Sequence, residues 1–218
     1  MTRANKNPTE RKAEFITAAE ELFLEKGFEN TSVDDIVARV GVAKGLFYYY
    51  FSSKEALMAA LADRYLDEID ALIHKAMDEE GLTALQMLNK LSPSQVVISG
   101  RSREVMKLFH HERNQAFHLM MEERAQKILV PALERIVSKG CEEGIFHTEY
   151  PHETSVAMVA MFTALKRSVM VEDDPQRWNR FLAVSRELLE RLLDARPGTF
   201  SEFLMNLPPK GECPKKLN

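Results

Sequence analysis

Two stretches of the 218-residue chain set hydrogen-bonding or metal-ligating side chains at helical spacing. The first, VGVAKGLFYYYFSSKEAL from Val40 to Leu57, holds five consecutive aromatics, Phe47 to Phe51, between Lys44 and Lys54. On a helix Phe47, Tyr50 and Phe51 share one face, and Tyr48 and Tyr49 point away from it. Three rings therefore suit a small core. The other two offer hydroxyls to phosphate and ring edges to sugar or thymine, and Lys44 can reach phosphate or a guanine acceptor. The second stretch, HHERNQAFHLMMEE, holds His110, His111 and His118. In one continuous helix His111, Gln115, His118 and Glu122 would share a face and could hold a metal or a polar ligand group. Polar lining or surface histidines are the commoner outcome of so short a motif, and no metal is expected there.

The elements that must position these residues are helices throughout, because apolar residues recur at three and four rather than at two. Thr9 is expected to cap a first helix with Phe15, Ile16, Ala19, Leu22 and Phe23 as its stripe, and Gly27 to stop it. Ser32 and Asp35 form an S-x-x-D capping pair, opening a second helix with Val33, Ile36, Val37 and Val40 on one face. Gly41 ends that helix, and a third segment begins near Ala43 or Lys44. A short helix, a tight turn with Gly and another short helix make a helix-turn-helix, whose second helix can enter a major groove. Ser52 and Glu55 read as the capping box of a long amphipathic helix that closes before Gly81.

Further along, Pro131 is expected to kink a helical pattern from Gln115 to Lys139. From Ser155 to Val171, Ala157, Ala160, Ala164 and Ser168 line one side, while Met158, Met161, Phe162 and Leu165 line the other. Trp178, Leu182, Ser185, Leu189 and Leu192 alternate spacings of four and three, as in a coiled-coil seam. Two copies of such a helix pair suit a four-helix contact, so a homodimer is expected, with packing inside one chain as the alternative.

Composition bounds what these elements can do. Hydrophobic residues make up 45% and charged residues 28% of the chain, ordinary for a globular protein. The formal net charge of -4 argues against binding nucleic acid through bulk charge, so local placement must decide. Basic residues of the first 57 concentrate in the opening dozen and in the aromatic stretch. No apolar run approaches the ~20 residues that cross a bilayer, and MTRANKNPTERK lacks the apolar core of a signal peptide, so a cytoplasmic protein is expected. Cys141 and Cys213 stand far apart outside any CxxC pattern, which suggests neither a disulfide framework nor a zinc site. No P-loop, GxSxG or HExxH occurs, and the paired Glu-x-x-His motifs of a di-metal bundle are not met. Neither an enzyme nor a cofactor is expected.

The segment ITAAEELFLEKGFENTSVDDIVARVGVAKGLFYYYFSSKEAL is similar to the DNA-binding domain of the TetR (tetracycline-repressor) family of bacterial transcription regulators. More weakly, KGCEEGIFHTEYPHETSVAMVAMFTAL looks like the approach to that family's dimerisation helices. The resemblance implies an all-α protein. Residues 1–52 would be a three-helix helix-turn-helix domain with a basic arm, residues 53–207 a helical effector-binding and dimerisation domain, and residues 208–218 a tail. It further implies a ligand-responsive regulator, a repressor by the family's habit, that binds a palindromic double-stranded operator as a homodimer. A small apolar effector would release it by pivoting the long helix, since the recognition helices must sit about one DNA turn, ~34 Å, apart.

Carried over by position, the DNA-binding candidates are Thr31, Ser32, Ala43, Lys44, Gly45, Leu46, Tyr48, Tyr49 and Lys54. Arg3, Lys6, Arg11 and Lys12 form an arm for phosphates or the minor groove. Ala43 and Leu46 stand where the family often has hydroxyls, as in GVSKGTLYYYF, which bears on sequence preference more than on DNA binding itself. An apolar, adaptable effector site would draw on Met87, Phe109, His110, Phe117, Met121, Met158, Met161 and Phe162. The dimer interface would use Ala157, Ala160, Ala164, Ser168, Trp178, Leu182, Ser185 and Leu189. A helix-turn-helix interaction module without an operator, and a helical metal-binding enzyme, are the rival readings.

Overall fold

The computed structural model describes residues 7–91, 108–109, 115–170 and 175–201. Eight helices occur among the described residues, and no strand: α1 (Pro8–Lys26), α2 (Val33–Val40), α3 (Lys44–Tyr50), α4 (Lys54–Met77), α5 (Ala84–Lys90), α6 (Gln115–Glu142), α7 (Pro151–Met170) and α8 (Pro175–Leu192). No described helix is long and apolar enough to cross a membrane. The chain divides into two compact units, one of residues up to 68 with 108–109 and 115–121, the other of 69–91 with 122–170 and 175–201.

Capping chemistry sets the helix starts of the first unit. Asn7, not Thr9, caps α1: its side chain accepts from the Thr9 amide at 3.1 Å, with Pro8 occupying the position where a missing amide hydrogen costs nothing. Ser32 and Asp35 form the reciprocal box at α2, and Gly41 closes that helix at φ 74°, a left-handed conformation that glycine adopts without strain. For α4 the cap is Ser53 rather than Ser52: its hydroxyl accepts from the Ala56 amide at 3.2 Å, and its carbonyl takes the Leu57 amide.

The core of this unit is aromatic. Phe15 meets Phe47 and Phe51 edge-on, at 5.8 Å and 6.0 Å between centroids, and Ile36, Leu57 and Leu61 are fully buried around them. Burying each such side chain favours folding by roughly 1.5–3 kcal/mol, enough to hold the two short helices α2 and α3 that propensity alone would not. One carboxylate is sunk among them. Glu20 of α1 accepts from Tyr65 at 2.7 Å and pairs with Arg64, both on α4. Burial first, then the bond to Glu20, pushes the Tyr65 hydroxyl up to about 12.

Three effector candidates belong to this same core. Phe109 and Phe117 are buried with rings 5.6 Å apart, Phe109 reaches Tyr65 at 6.2 Å, and Met121 packs half-buried against the cluster. Their apolar character serves packing of the first unit. Met87 and Met158 are buried in the second unit, where Met161 and Phe162 are half-buried. His110 and His111 lie outside the described residues.

In the second unit a Thr83–Gln86 capping box opens α5, whose first amide donates to the Glu143 carboxylate at 3.0 Å. α6 continues through Pro131, which is exposed. Gly140 lets Phe146 lie against the α6 backbone, and Phe146 stacks on Phe200 at 5.7 Å. α7 packs on α8. Ala157, Ala160 and Ala164 are exposed on α7, whereas Leu182, Ser185 and Leu189 are buried within the single chain. These three are therefore corrected as interface residues, because the seam of α8 is covered by the chain's own helices. Among the described residues of this pair, Val156 and Val184 are the large aliphatics left exposed. The side chains of Ser168 and Trp178 lie outside the described residues.

Candidate nucleic-acid interface

α2, a tight turn at Gly41 and α3 form the helix-turn-helix, and the packing of α3 sorts its residues. Phe47 is fully buried and Tyr50 half-buried against the core, with Phe51 closing the helix at 4% exposure. Tyr48 and Tyr49 stand out at 53% and 76%. Each outward ring is braced by an inward neighbour, Tyr48 edge-on to Phe47 at 5.3 Å and Tyr49 edge-on to Tyr50 at 4.9 Å. Such bracing leaves the two hydroxyls projecting with little rotamer freedom to lose on contact.

Ala43 and Gly45 are exposed beside Lys44, and Ala43 caps α3 without a side-chain hydrogen bond. Leu46 turns half-buried onto the core, so its apolar side chain has a structural partner. Lys44 pairs with Asp34 of α2, its ammonium 2.9 Å and 3.0 Å from the two carboxylate oxygens. That bond raises the lysine above its ordinary range. Asp34 was not singled out from sequence; its place one residue before the capping acid gave no sign that it would face Lys44.

Thr31 and Lys54 turn inward, contrary to their reading as DNA contacts. Thr31 is 1% exposed, and its hydroxyl donates to the Gly27 carbonyl at 2.8 Å, securing the end of α1. The Lys54 ammonium donates to the carbonyls of Phe28 at 2.6 Å and Thr31 at 2.8 Å, with its nitrogen 4.2 Å from the Phe28 ring centroid. It holds the loop between α1 and α2. Ser32 stays exposed, but its hydroxyl serves Asp35, whose carboxyl lies well below the usual range because Lys26 and then Ser32 bond to it.

An open groove of about 650 Å³ is lined by residues of α1 and α2, Glu10, Glu14, Glu21 and Arg39 among others. Its acidic lining disfavours a polyanion. No metal-binding cluster of His, Cys, Asp or Glu occurs among the described residues. The single Glu-x-x-His spacing, Glu149 to His152, straddles the start of α7, and His152 pairs with Glu134 at 2.8 Å instead.

A family model described as bacterial regulatory proteins, tetR family, matches residues 15–61, the helices just described with the start of α4. The probable HTH-type transcriptional regulator ArpR of Pseudomonas putida is 30% identical over 51% of this chain and 55% of its own length. The uncharacterised HTH-type transcriptional regulator YfiR of Bacillus subtilis is 28% identical over 66% of this chain and 72% of its own. The chain thus spans about half the length of the first of these relatives. Among solved structures, a transcriptional regulator from Cytophaga hutchinsonii superposes with a TM-score of 0.62 at 21% identity, over 83% of this chain and 95% of that one, a likeness of fold. These relatives are regulators, not enzymes. At residues 15–61 the chain is thus similar to the tetR family of bacterial regulatory proteins.

Proposed function

We propose that the protein is a ligand-responsive transcription regulator that binds a palindromic operator as a homodimer and acts as a repressor released by a small apolar effector. The observation that carries the DNA-binding part is the outward face of α3, where Lys44, Tyr48 and Tyr49 present one cation and two hydroxyls from a helix anchored by Phe47 and Tyr50. This set reaches phosphates and base edges without unpacking the core. Dimerisation is supported by the exposed small face of α7, Ala157, Ala160 and Ala164, beside Val156 and Val184. Small residues let two helices approach closely, and a two-fold pair of recognition helices explains why the operator is palindromic. The effector reading draws on Met87, Met158, Met161 and Phe162 of the second unit.

Selection of bound duplexes from a random pool tests the reading as a whole: a palindromic motif is expected, and failure to enrich any sequence overturns it. Lys44→Ala and Tyr48→Phe are expected to weaken binding to the enriched duplex with the helical content unchanged. Unaltered affinity of both variants at moderate salt removes α3 as the reading element.

A further inference from the structure

The Lys44–Asp34 pair lies on the outward surface of the helix-turn-helix, with side chains 49% and 71% exposed. An ion pair so open to water adds little to folding stability. Nor is Asp34 needed as a cap, because Ser32 and Asp35 close the start of α2 between them. What the carboxylate does is occupy the lysine. Both of its oxygens sit within 3.0 Å of the ammonium, so the one cation of α3 is neutralised at its own surface.

Any phosphate that takes Lys44 must displace Asp34 and leave that carboxylate facing a polyanion. A base pair imposes no such loss. In the major groove a G·C pair sets the guanine O6 and N7 acceptors beside the cytosine N4 donor, and a lysine and a carboxylate side by side match that order, donor to acceptor and acceptor to donor. The pair can then engage the edge of a base pair together.

We propose that Asp34 is a specificity-determining residue: it withholds Lys44 from backbone phosphates and makes the lysine's contact with DNA conditional on a G·C pair. This rests on the DNA-binding reading above. It accounts for an acid placed beside the recognition lysine, where simple affinity would favour a neutral residue.

The test measures affinity of the full chain and of its Asp34→Asn, Lys44→Ala and doubly substituted forms. Two probes are used across a salt series: a random-sequence duplex, and the duplex the unaltered protein enriches from a random pool. Asp34→Asn keeps shape and removes charge. It is expected to bind the random duplex about three- to tenfold tighter at low salt, with a slope in log salt steeper by about 0.9 per protomer, the mark of one more phosphate neutralised. Affinity for the enriched duplex should rise less, so the ratio between probes falls. Asp34→Glu, which restores the carboxylate, should recover that ratio. The gain must also vanish when Lys44 is alanine. Unchanged random-duplex affinity in Asp34→Asn, or a gain that persists without Lys44, overturns the inference while leaving DNA binding in place. If the unaltered protein binds neither duplex, the DNA-binding reading falls and this inference with it.

Discussion

Replacing Lys54 by methionine keeps the side-chain length and removes the charge. Its ammonium donates at 2.6 Å and 2.8 Å to the carbonyls of Phe28 and Thr31 and lies 4.2 Å from the Phe28 ring centroid. Hydrogen bonds involving a charged group contribute about 1.5–3 kcal/mol each in net terms. A cation over a ring adds about 0.5–1 kcal/mol where solvent has access. Lys54 is half-buried, so water recovers part of the carbonyl bonding, and contributions that share one ammonium do not sum. A loss of about 2–3 kcal/mol follows. In denaturant unfolding the midpoint should fall with little change in slope. DNA binding supplies the second readout: losing a phosphate contact would lower the slope of log affinity against log salt by ~0.9 per protomer, and an inward lysine leaves it unchanged. An Lys54→Met form with the original midpoint and a shallower salt slope would refute the argument and return Lys54 to the DNA backbone.

Gly140→Ala would set a Cβ 2.7 Å from Cγ of the buried Phe146 ring, which is held by its stack on Phe200, and should cost about 1–3 kcal/mol in thermal or denaturant unfolding. Tyr65→Phe removes the hydroxyl bond to buried Glu20 and should cost about 1–2 kcal/mol at neutral pH. Because the folded Tyr65 titrates at about 12, above its ordinary 10, its contribution is complete below pH 10 and is lost as pH rises towards 12; the phenylalanine form should lack that part of the alkaline decline in stability. On the homodimer reading, Ala160→Glu, on the exposed small face of α7, should weaken self-association more than about a hundredfold in analytical ultracentrifugation while the circular dichroism of the chain stays the same.

What the sequence discloses here is periodicity and local capping. The five aromatics split as a 3.6-residue period requires, and the Ser32–Asp35 box closes as its spacing implies. The local capping-box rule favours Ser52, three residues before Glu55, whereas in the fold the Ser53 hydroxyl takes the Ala56 amide and caps α4. An amphipathic seam announces that a face is covered, not by which chain. Leu182, Ser185 and Leu189 are covered from within. In the same way the apolar character of Phe109, Phe117 and Met121 marked them for burial, and only the tertiary structure assigns them to the core around Phe15 and Tyr65. The inward turn of Lys54 was hidden for a related reason. Its partners lie 23 and 26 residues away, beyond any spacing rule.

The basic residues of the first domain share one property that composition conceals. Of the eight Lys and Arg in residues 1–57 six are described, and each has a partner within the chain: Arg11 pairs with Glu14, Lys12 lies over Phe51, Lys26 bonds to Asp35, Arg39 bridges Glu21 and Glu25, Lys44 meets Asp34, and Lys54 holds two carbonyls. The four paired with carboxylates, Arg11, Lys26, Arg39 and Lys44, draw little on counterion release unless DNA first breaks a pair. The exposed hydroxyls of Tyr48 and Tyr49 need break no such pair. On the DNA-binding reading, these four paired cations of the described residues add little to affinity for arbitrary duplexes, and discrimination rests more on the contacts that the outward face of α3 makes without displacing an internal partner.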